Sequence, residues 1–115
     1  MDVHFTREEP WEVKLQRSYH MNAESFPIAK FRLGRIVATP HALECIPNPD
    51  ILSAISRHQG GDWGDVGEHD RQVNETALLD GTRLFSVYHA SNGEKFWVIT
   101  EADRSVTTVL MPEDY

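Results

Sequence analysis

The chain has 115 residues, of which 40% are hydrophobic and 25% charged, and its formal net charge is −7. This length can bury one core but hardly two, and the negative charge disfavours nonspecific binding to nucleic acid or to an anionic membrane. The single cysteine, Cys45, excludes an internal disulfide and a zinc site built on several cysteines. The sequence also has no apolar run long enough to span a bilayer and no recognisable secretory signal. These features together predict a cytoplasmic protein.

Residues 1–27 mix charges with isolated aromatic and aliphatic side chains and keep no sustained period. We therefore predict an N-terminal arm over 1–27 and a single domain over 28–115. The run "WEVKL" keeps open the alternative of an added edge strand.

Two short helices are predicted after a first strand. The stretch "FRLGRIVAT" is rich in β-formers, and Thr39-Pro40 then offers a helix N-cap followed by proline. The helix "HALEC" stops at Pro47, and Asn48-Pro49 repeats the start signal for "ILSAISRHQ". Its residues Ile51, Leu52 and Ile55 form one apolar stripe, so this helix packs by that stripe.

A third helix is predicted from Asp65 to about Leu79. Asp65 with Glu68 three positions later has the form of a capping box, and Gly81 is a natural stop. The predicted apolar face consists of Val66, Val73, Ala77 and Leu78.

Three strands are predicted in the last third, with turns at Asn92-Gly93 and at 102–104, because Asn-Gly between β-rich runs favours a tight hairpin turn. The predicted class is α+β: a four-stranded antiparallel sheet with helices on one face, in the order β-α-α-α-β-β-β. The predicted core is Leu33, Ile36, Leu52, Ile55, Val73, Ala77, Phe85, Val87, Val98, Ile99 and Val109.

The glycine-rich stretch "GGDWGDVGEHDRQVN" raises the question of a metal site. His58, Asp62, Asp65, His69 and Asp70 bring nitrogen and oxygen donors close together in sequence, but in no spacing that fixes a metal. A structural loop, in which glycines allow sharp turns and Trp63 buries its ring, fits the residues better. We predict neither a metal nor a cofactor, and expect Asn74 to hydrogen-bond loop carbonyls.

Between 60 and 80 there are six acidic residues against one arginine. A solvated acidic face is the common explanation of such a run, and a docking surface for a basic protein partner is the more specific one. The candidate partner-binding residues are Asp62, Asp65, Glu68, Asp70 and Glu75.

An enzymatic alternative rests on His89, Glu101 and Arg104. In small sheet-based ribonucleases a histidine, a glutamate and an arginine on adjacent strands act as acid, base and phosphate clamp. The turn "EADRS" is equally well explained as surface turn chemistry, and the acidic balance of the chain opposes RNA binding.

From about Phe31 onward, the blocks "LGRIVATPHALE", "RHQGGDWGD", "HDRQVNETAL", "GTRLFSVYH" and "FWVITEADRSVTTVLMPEDY" resemble a family of small bacterial proteins of plasmids, integrative elements and phages, some of them labelled as restriction-modification subunits. The sequence lacks the glycine-rich cofactor loop and Asn-Pro-Pro-Tyr-type motif that a methyltransferase needs. The resemblance implies a mobile-element context, in which small acidic proteins disable host defence enzymes.

These observations together predict a non-enzymatic protein-binding module, an inhibitor of the anti-restriction or anti-CRISPR kind. Its partner would be a basic nucleic-acid-processing or defence enzyme, with no direct contact to nucleic acid or membrane. The alternative is a small ribonuclease-like toxin. The sequence leaves the oligomeric state open.

Overall fold

The computed structural model describes residues 28–115. Four strands form one sheet: β1 (Arg35–Ala38), β2 (Leu84–His89), β3 (Lys95–Thr100) and β4 (Val106–Leu110). Three helices connect β1 to β2: α1 (Pro40–Cys45), α2 (Asn48–Gln59) and α3 (Glu68–Asp80). A 3-10 turn, Pro112–Asp114, follows β4. The predicted α+β class and element order are confirmed, while the predicted arm at 1–27 lies outside the described residues.

The sheet is mixed, so the prediction of a fully antiparallel sheet is wrong. The strand order is β1-β4-β3-β2, and β1 runs parallel to β4. The amide of Arg35 donates to the carbonyl of Ser105 and that of Thr39 to the carbonyl of Val109, both over 2.9 Å. The two hairpins are antiparallel because tight turns join their strands, whereas three helices and two strands separate β1 from its neighbour β4 and no local signal sets its direction.

Both predicted turns are confirmed. Gly93 has a φ of 89° in the turn between β2 and β3, and Arg104 has a φ of 61° in the turn between β3 and β4. In the first of these hairpins Val87 pairs with Trp97. None of the helices within 28–115 combines the length and apolar character that crossing a bilayer requires.

Of the three predicted helix starts, the one at Thr39 is confirmed and the one at Asp65 is wrong. The second helix begins at Asn48, as its start signal predicted, but its cap position is Pro47 and no side chain caps it. The hydroxyl of Thr39 accepts the amide of Ala42 over 3.0 Å and caps α1. The capping box at Asp65 does not form, because α3 begins at Glu68 after Gly67 without a side-chain cap. The reason is that the amide of Asp65 donates to the carbonyl of Val87 over 2.7 Å, which ties Asp65 to β2.

The main core lies between the first face of the sheet and helices α1 and α2. On this face Ile36, Val98 and Val109 meet Ile51 and Ile55 of α2. A second cluster joins Trp63, Ala77 and Leu84. All predicted core residues are buried except three: Leu52 and Phe85 are half-buried, and Val73 is 46% exposed. Placing Val73 in the core was wrong, because α3 turns Asn74 and Ala77 inward instead.

Candidate functional site

The loop between α2 and α3 closes one edge of the sheet. The amide of Val87 donates to the carbonyl of Trp63 over 3.1 Å, and the Asp65 amide returns a bond to the Val87 carbonyl. Gly64, with a φ of 75°, lies so close to β2 that an added Cβ would be 2.0 Å from the carbonyl oxygen of Val87. The loop therefore occupies the place of a fifth strand beside β2, and its glycine permits that approach.

Trp63 and Asn74 hold this edge from the side of α3. The Trp63 ring is buried, as predicted, and its indole N–H donates to Glu75 Oε2 over 2.8 Å. Asn74 donates its amide to the carbonyl of Phe85 over 2.7 Å and accepts the Phe85 N–H over 3.0 Å. The side chain of Asn74 thus satisfies strand β2, and not the loop carbonyls that the sequence suggested.

Most of the five predicted partner-binding carboxylates have local partners. Asp62 binds the Arg57 guanidinium at 2.8 Å, which lowers the pKa of Asp62. The pKa of Asp65 is lowered by its hydrogen bond to His89 at 2.9 Å. Local pairing of this kind therefore explains the presence of part of the acidic residues in this stretch.

The remaining three carboxylates lie on α3. Glu68 accepts hydrogen bonds from Arg71 and Gln72, which lower its pKa to about 2. Glu75 holds the indole of Trp63. Asp70 is exposed, and within 28–115 no side chain forms a hydrogen bond or ion pair with its carboxylate. Asp70 is therefore the candidate whose charge is best placed for a partner.

An apolar groove of about 470 Å³ lies beside Asp70, between α3 and the second face of the sheet. In it the rings of Phe85 and Trp97 meet edge to face at 5.0 Å, and Trp97 meets Tyr115 at 5.8 Å. The Arg83 guanidinium lies 5.4 Å from the centre of the Tyr115 ring. The groove is lined by Asp70, Val73, Asn74, Thr82, Arg83, Phe85, Trp97, Ile99 and Tyr115.

This groove was not predicted from the sequence. Side chains alternate between the two faces along a strand, and those of Phe85 and Trp97 point to the second face, opposite the main core. The strand texts "LFSVYH" and "KFWVIT" are apolar on both faces, so alternation did not mark one face as open. The approach of α3 and of Tyr115 to these rings is a long-range feature for which the local sequence has no signal.

The three residues of the ribonuclease alternative do not come together. His89 pairs with Lys95 at one end of the β2–β3 ladder, while Glu101 follows Thr100 at the other, a separation of about 20 Å along the strand. The guanidinium of Arg104 donates to the carbonyls of Ala77 and Thr82 at 3.0 and 2.7 Å. Arg104 therefore acts as a clamp on the backbone, with both terminal nitrogens of its guanidinium engaged.

His58, one of the donors weighed for a metal, belongs to a buried hydrogen-bond chain. The hydroxyl of Thr107 donates to the Leu33 carbonyl over 2.7 Å, so it accepts from Thr100, which lies 2.7 Å away. Thr100 in turn accepts from His58 Nε2 at 2.9 Å, which leaves Nδ1 to accept the Ser86 hydroxyl at 2.6 Å. His58 is thus a neutral imidazole with both nitrogens used.

The other side chains that were weighed as metal ligands do not form a site either. Within 28–115, no group of three or more histidine, cysteine, aspartate or glutamate side chains is arranged to hold a metal ion.

The burial of His58 also changes its titration, because burial is the main cause that lowers the pKa of this imidazole, to about 3.

Comparison of the chain with protein-family models, curated proteins and solved structures gives no match. The resemblance to small mobile-element proteins therefore stays a prediction that depends on the sequence blocks alone. The geometry of the site is the remaining basis for a functional proposal.

Proposed function

We propose that this chain is a non-enzymatic protein-binding module that binds a basic protein partner at the groove beside α3. The observation that carries the proposal is the position of Asp70, an exposed carboxylate on the rim of an apolar groove. An apolar pocket with a charged rim suits a partner segment that inserts one apolar side chain and presents a lysine or arginine beside it.

The charge of α3 supports a basic partner. The helix carries four carboxylates and one arginine, and the whole chain has a net charge of −7. Such a field accelerates association with a cationic surface and disfavours acidic competitors. Because Glu68 and Glu75 already have intramolecular partners, we assign the direct contact to Asp70 and the longer-range attraction to the rest of the acidic surface.

The apolar part of the site supports a protein in preference to a small ion. Val73 is 46% exposed and Tyr115 60% exposed, on the two sides of the groove. Exposed aromatic and aliphatic side chains around a concave site are typical of the centre of protein interfaces. The partner class follows from the resemblance to mobile-element proteins: a host defence or nucleic-acid-processing enzyme with a basic surface.

The test is affinity capture from a host lysate, with quantification of each retained protein. The variants are Asp70→Lys and Val73→Arg in the groove, with Glu44→Lys on α1 as the control. Glu44 is exposed, and its replacement makes the same charge change as Asp70→Lys outside the groove lining. We expect a basic protein that wild type and the control retain and both groove variants lose, with retention weakened by added salt.

A retained set that is the same for all four proteins would refute the proposal, as would the absence of any retained protein. Cleavage of RNA by the purified chain, with loss of cleavage in Glu101→Gln, would replace the binding function with the ribonuclease alternative. Circular dichroism of each variant verifies that the fold is intact.

A further inference from the structure

Two opposite charges lie at the groove beside α3. Asp70 and Arg83 both line this groove, and both side chains are exposed. Neither takes part in an ion pair within 28–115, where the ion pairs are Arg57–Asp62, Arg71–Glu68, His41–Asp114 and His89–Asp65. A ligand in the groove therefore meets one carboxylate and one guanidinium that have no ion-pair partner among the described residues.

The guanidinium of Arg83 is held at the aromatic side of the groove. Its Nη2 donates to the hydroxyl of Tyr115 over 2.8 Å, and the group lies 5.4 Å from the centre of the Tyr115 ring. A guanidinium carries five N–H donors, so this one can also bind a carboxylate, the partner that arginine suits best. The nearest acid in sequence, Asp80, binds Thr82 and lines a neighbouring depression on α3. Arg83 is therefore available to an anionic group of a ligand.

The two charges lie at opposite ends of the groove, because α3 and β2 run antiparallel beside it. A short connection, 81–83, joins the two elements, and Asn74 is hydrogen-bonded to Phe85. Asp70 precedes Asn74 by four residues, about 6 Å along the helix. Arg83 precedes Phe85 by two residues, about 7 Å along the strand in the opposite direction. The backbone positions of Asp70 and Arg83 are therefore about 13 Å apart along the groove.

This separation suits an extended stretch of protein. It is too long for a free amino acid, whose two charged groups share one Cα. An extended chain rises about 3.3 Å per residue, so its positions i and i+4 are about 13 Å apart, and its positions i, i+2 and i+4 point to the same side. The middle position then faces the apolar part of the groove, where the rings of Phe85 and Trp97 meet edge to face beside Val73.

We propose that the groove binds an extended protein segment that carries a basic residue, an apolar residue and an acidic residue at alternate positions. The basic side chain pairs with Asp70, the apolar one packs on Phe85 and Trp97, and the acidic one pairs with Arg83. This inference rests on the proposed function, since it takes the groove as the docking site of a protein partner. It adds that a uniformly basic segment is disfavoured there, because Arg83 repels a second cation.

The test is an NMR titration of the isotope-labelled full chain with capped peptides. The peptide cores are Lys-Thr-Phe-Thr-Glu, Lys-Thr-Phe-Thr-Lys and Glu-Thr-Phe-Thr-Glu. We expect the first peptide to shift the signals of the Asn74 side-chain amide and the Trp97 indole. At low ionic strength it should bind about fivefold more tightly than the other two, in which a repulsion replaces one of the attractions. Lys-Glu-Phe-Thr-Thr, a matched control of the same composition with both charges on one side of the phenylalanine, should also bind more weakly.

Charge reversals in the protein should change the preferred peptide. Asp70→Lys should prefer the peptide with two glutamates, and Arg83→Glu the peptide with two lysines. Glu44→Lys is the control, because Glu44 is exposed and lies outside the groove lining, and it should keep the wild-type order. The spectrum of each variant verifies that its fold is intact.

Equal or tighter binding of the peptide with two lysines by the wild-type chain overturns the inference. If Asp70→Lys weakens that binding, the proposed function stands, with a groove that contacts only the basic residue. Equal binding of Lys-Glu-Phe-Thr-Thr overturns the spacing, and absence of groove shifts with every peptide overturns the whole inference. In that last case the lysate capture decides the proposed function separately, since a partner lost in both groove variants would still assign docking to this groove.

Discussion

Acidification should destabilise this protein through one buried side chain, His58. The imidazole is fully buried, and its two nitrogens are hydrogen-bonded to Ser86 and Thr100. Burial, with a smaller contribution from the charge of Arg104, lowers its pKa from 6.5 to about 3. Between pH 6.5 and about pH 3, His58 therefore binds a proton in the unfolded chain but not in the folded chain. The free energy of unfolding must fall as the pH falls through this range.

The size of the effect follows from the two pKa values. Each pKa unit corresponds to about 1.4 kcal/mol, so acidification from pH 7 to pH 4 should remove about 3 kcal/mol, a large part of the roughly 5–15 kcal/mol of a typical domain. Above pH 6.5 His58 contributes no pH dependence. The lowered pKa values of Asp62 and Asp114 also make the protein less stable in acid, but mainly below pH 4. The pKa of His41, which Asp114 raises, has the opposite effect: its contribution to stability is lost as the pH rises above 6.5.

Urea unfolding followed by tryptophan fluorescence measures this slope. The His58 ring lies 5.8 Å from that of Trp63, so the probe reports on the same region. His58→Gln should abolish most of the slope between pH 6.5 and pH 4.5, and should lower stability at pH 7 by about 1–3 kcal/mol. His69→Gln, on the exposed surface of α3, should keep the wild-type slope. A slope that persists in His58→Gln, or a flat wild-type profile, would refute the assignment.

Three further outcomes are expected from urea unfolding and thermal melting. Gly64→Ala should cost about 3 kcal/mol or more, since its Cβ would collide with the Val87 carbonyl, while Gly67→Ala has open space and should stay within about 1 kcal/mol of wild type. Asn74→Asp should lower the free energy of unfolding by about 2–3 kcal/mol, because a carboxylate cannot donate to the carbonyl of Phe85. This destabilisation should be smaller at acid pH, where the carboxyl is protonated and can donate. Trp63→Ala should cost about 3–5 kcal/mol; an unchanged melting temperature with lost binding would instead make the ring a contact residue.

Local chemistry explains why much of the fold was predictable. The Thr39 cap, the stop at Gly81 and the Asn92-Gly93 turn each depend on residues within a few positions of one another. Gly81 has the left-handed conformation with a φ of 77° that its position after the helix predicted. Such signals survive folding because the tertiary structure does not compete with them.

Long-range contacts explain the errors. The direction of β1 depends on β4, which follows it by about seventy residues, and no residue of β1 encodes it. The failed capping box at Asp65 and the exposure of Val73 have a common cause in the loop and Asn74, which bind the edge of β2 and set the rotation of α3. The groove was unpredictable for the same reason, since it exists only where α3 and Tyr115 approach the second face.

The closed edge of β2 also changes the interpretation of the acidic stretch. An unprotected edge strand invites pairing with other chains, and charged residues along an edge oppose such pairing. Asp62 and Asp65 lie in the loop that closes this edge, and each has a basic partner within the domain. Edge protection therefore suffices to explain these two acids without any binding function. It does not explain Asp70, which lies on α3 at the groove and has no basic partner among the residues of 28–115. A variant that reverses only Asp70 consequently separates the two explanations, since edge protection predicts unchanged partner binding and the proposed docking site predicts its loss.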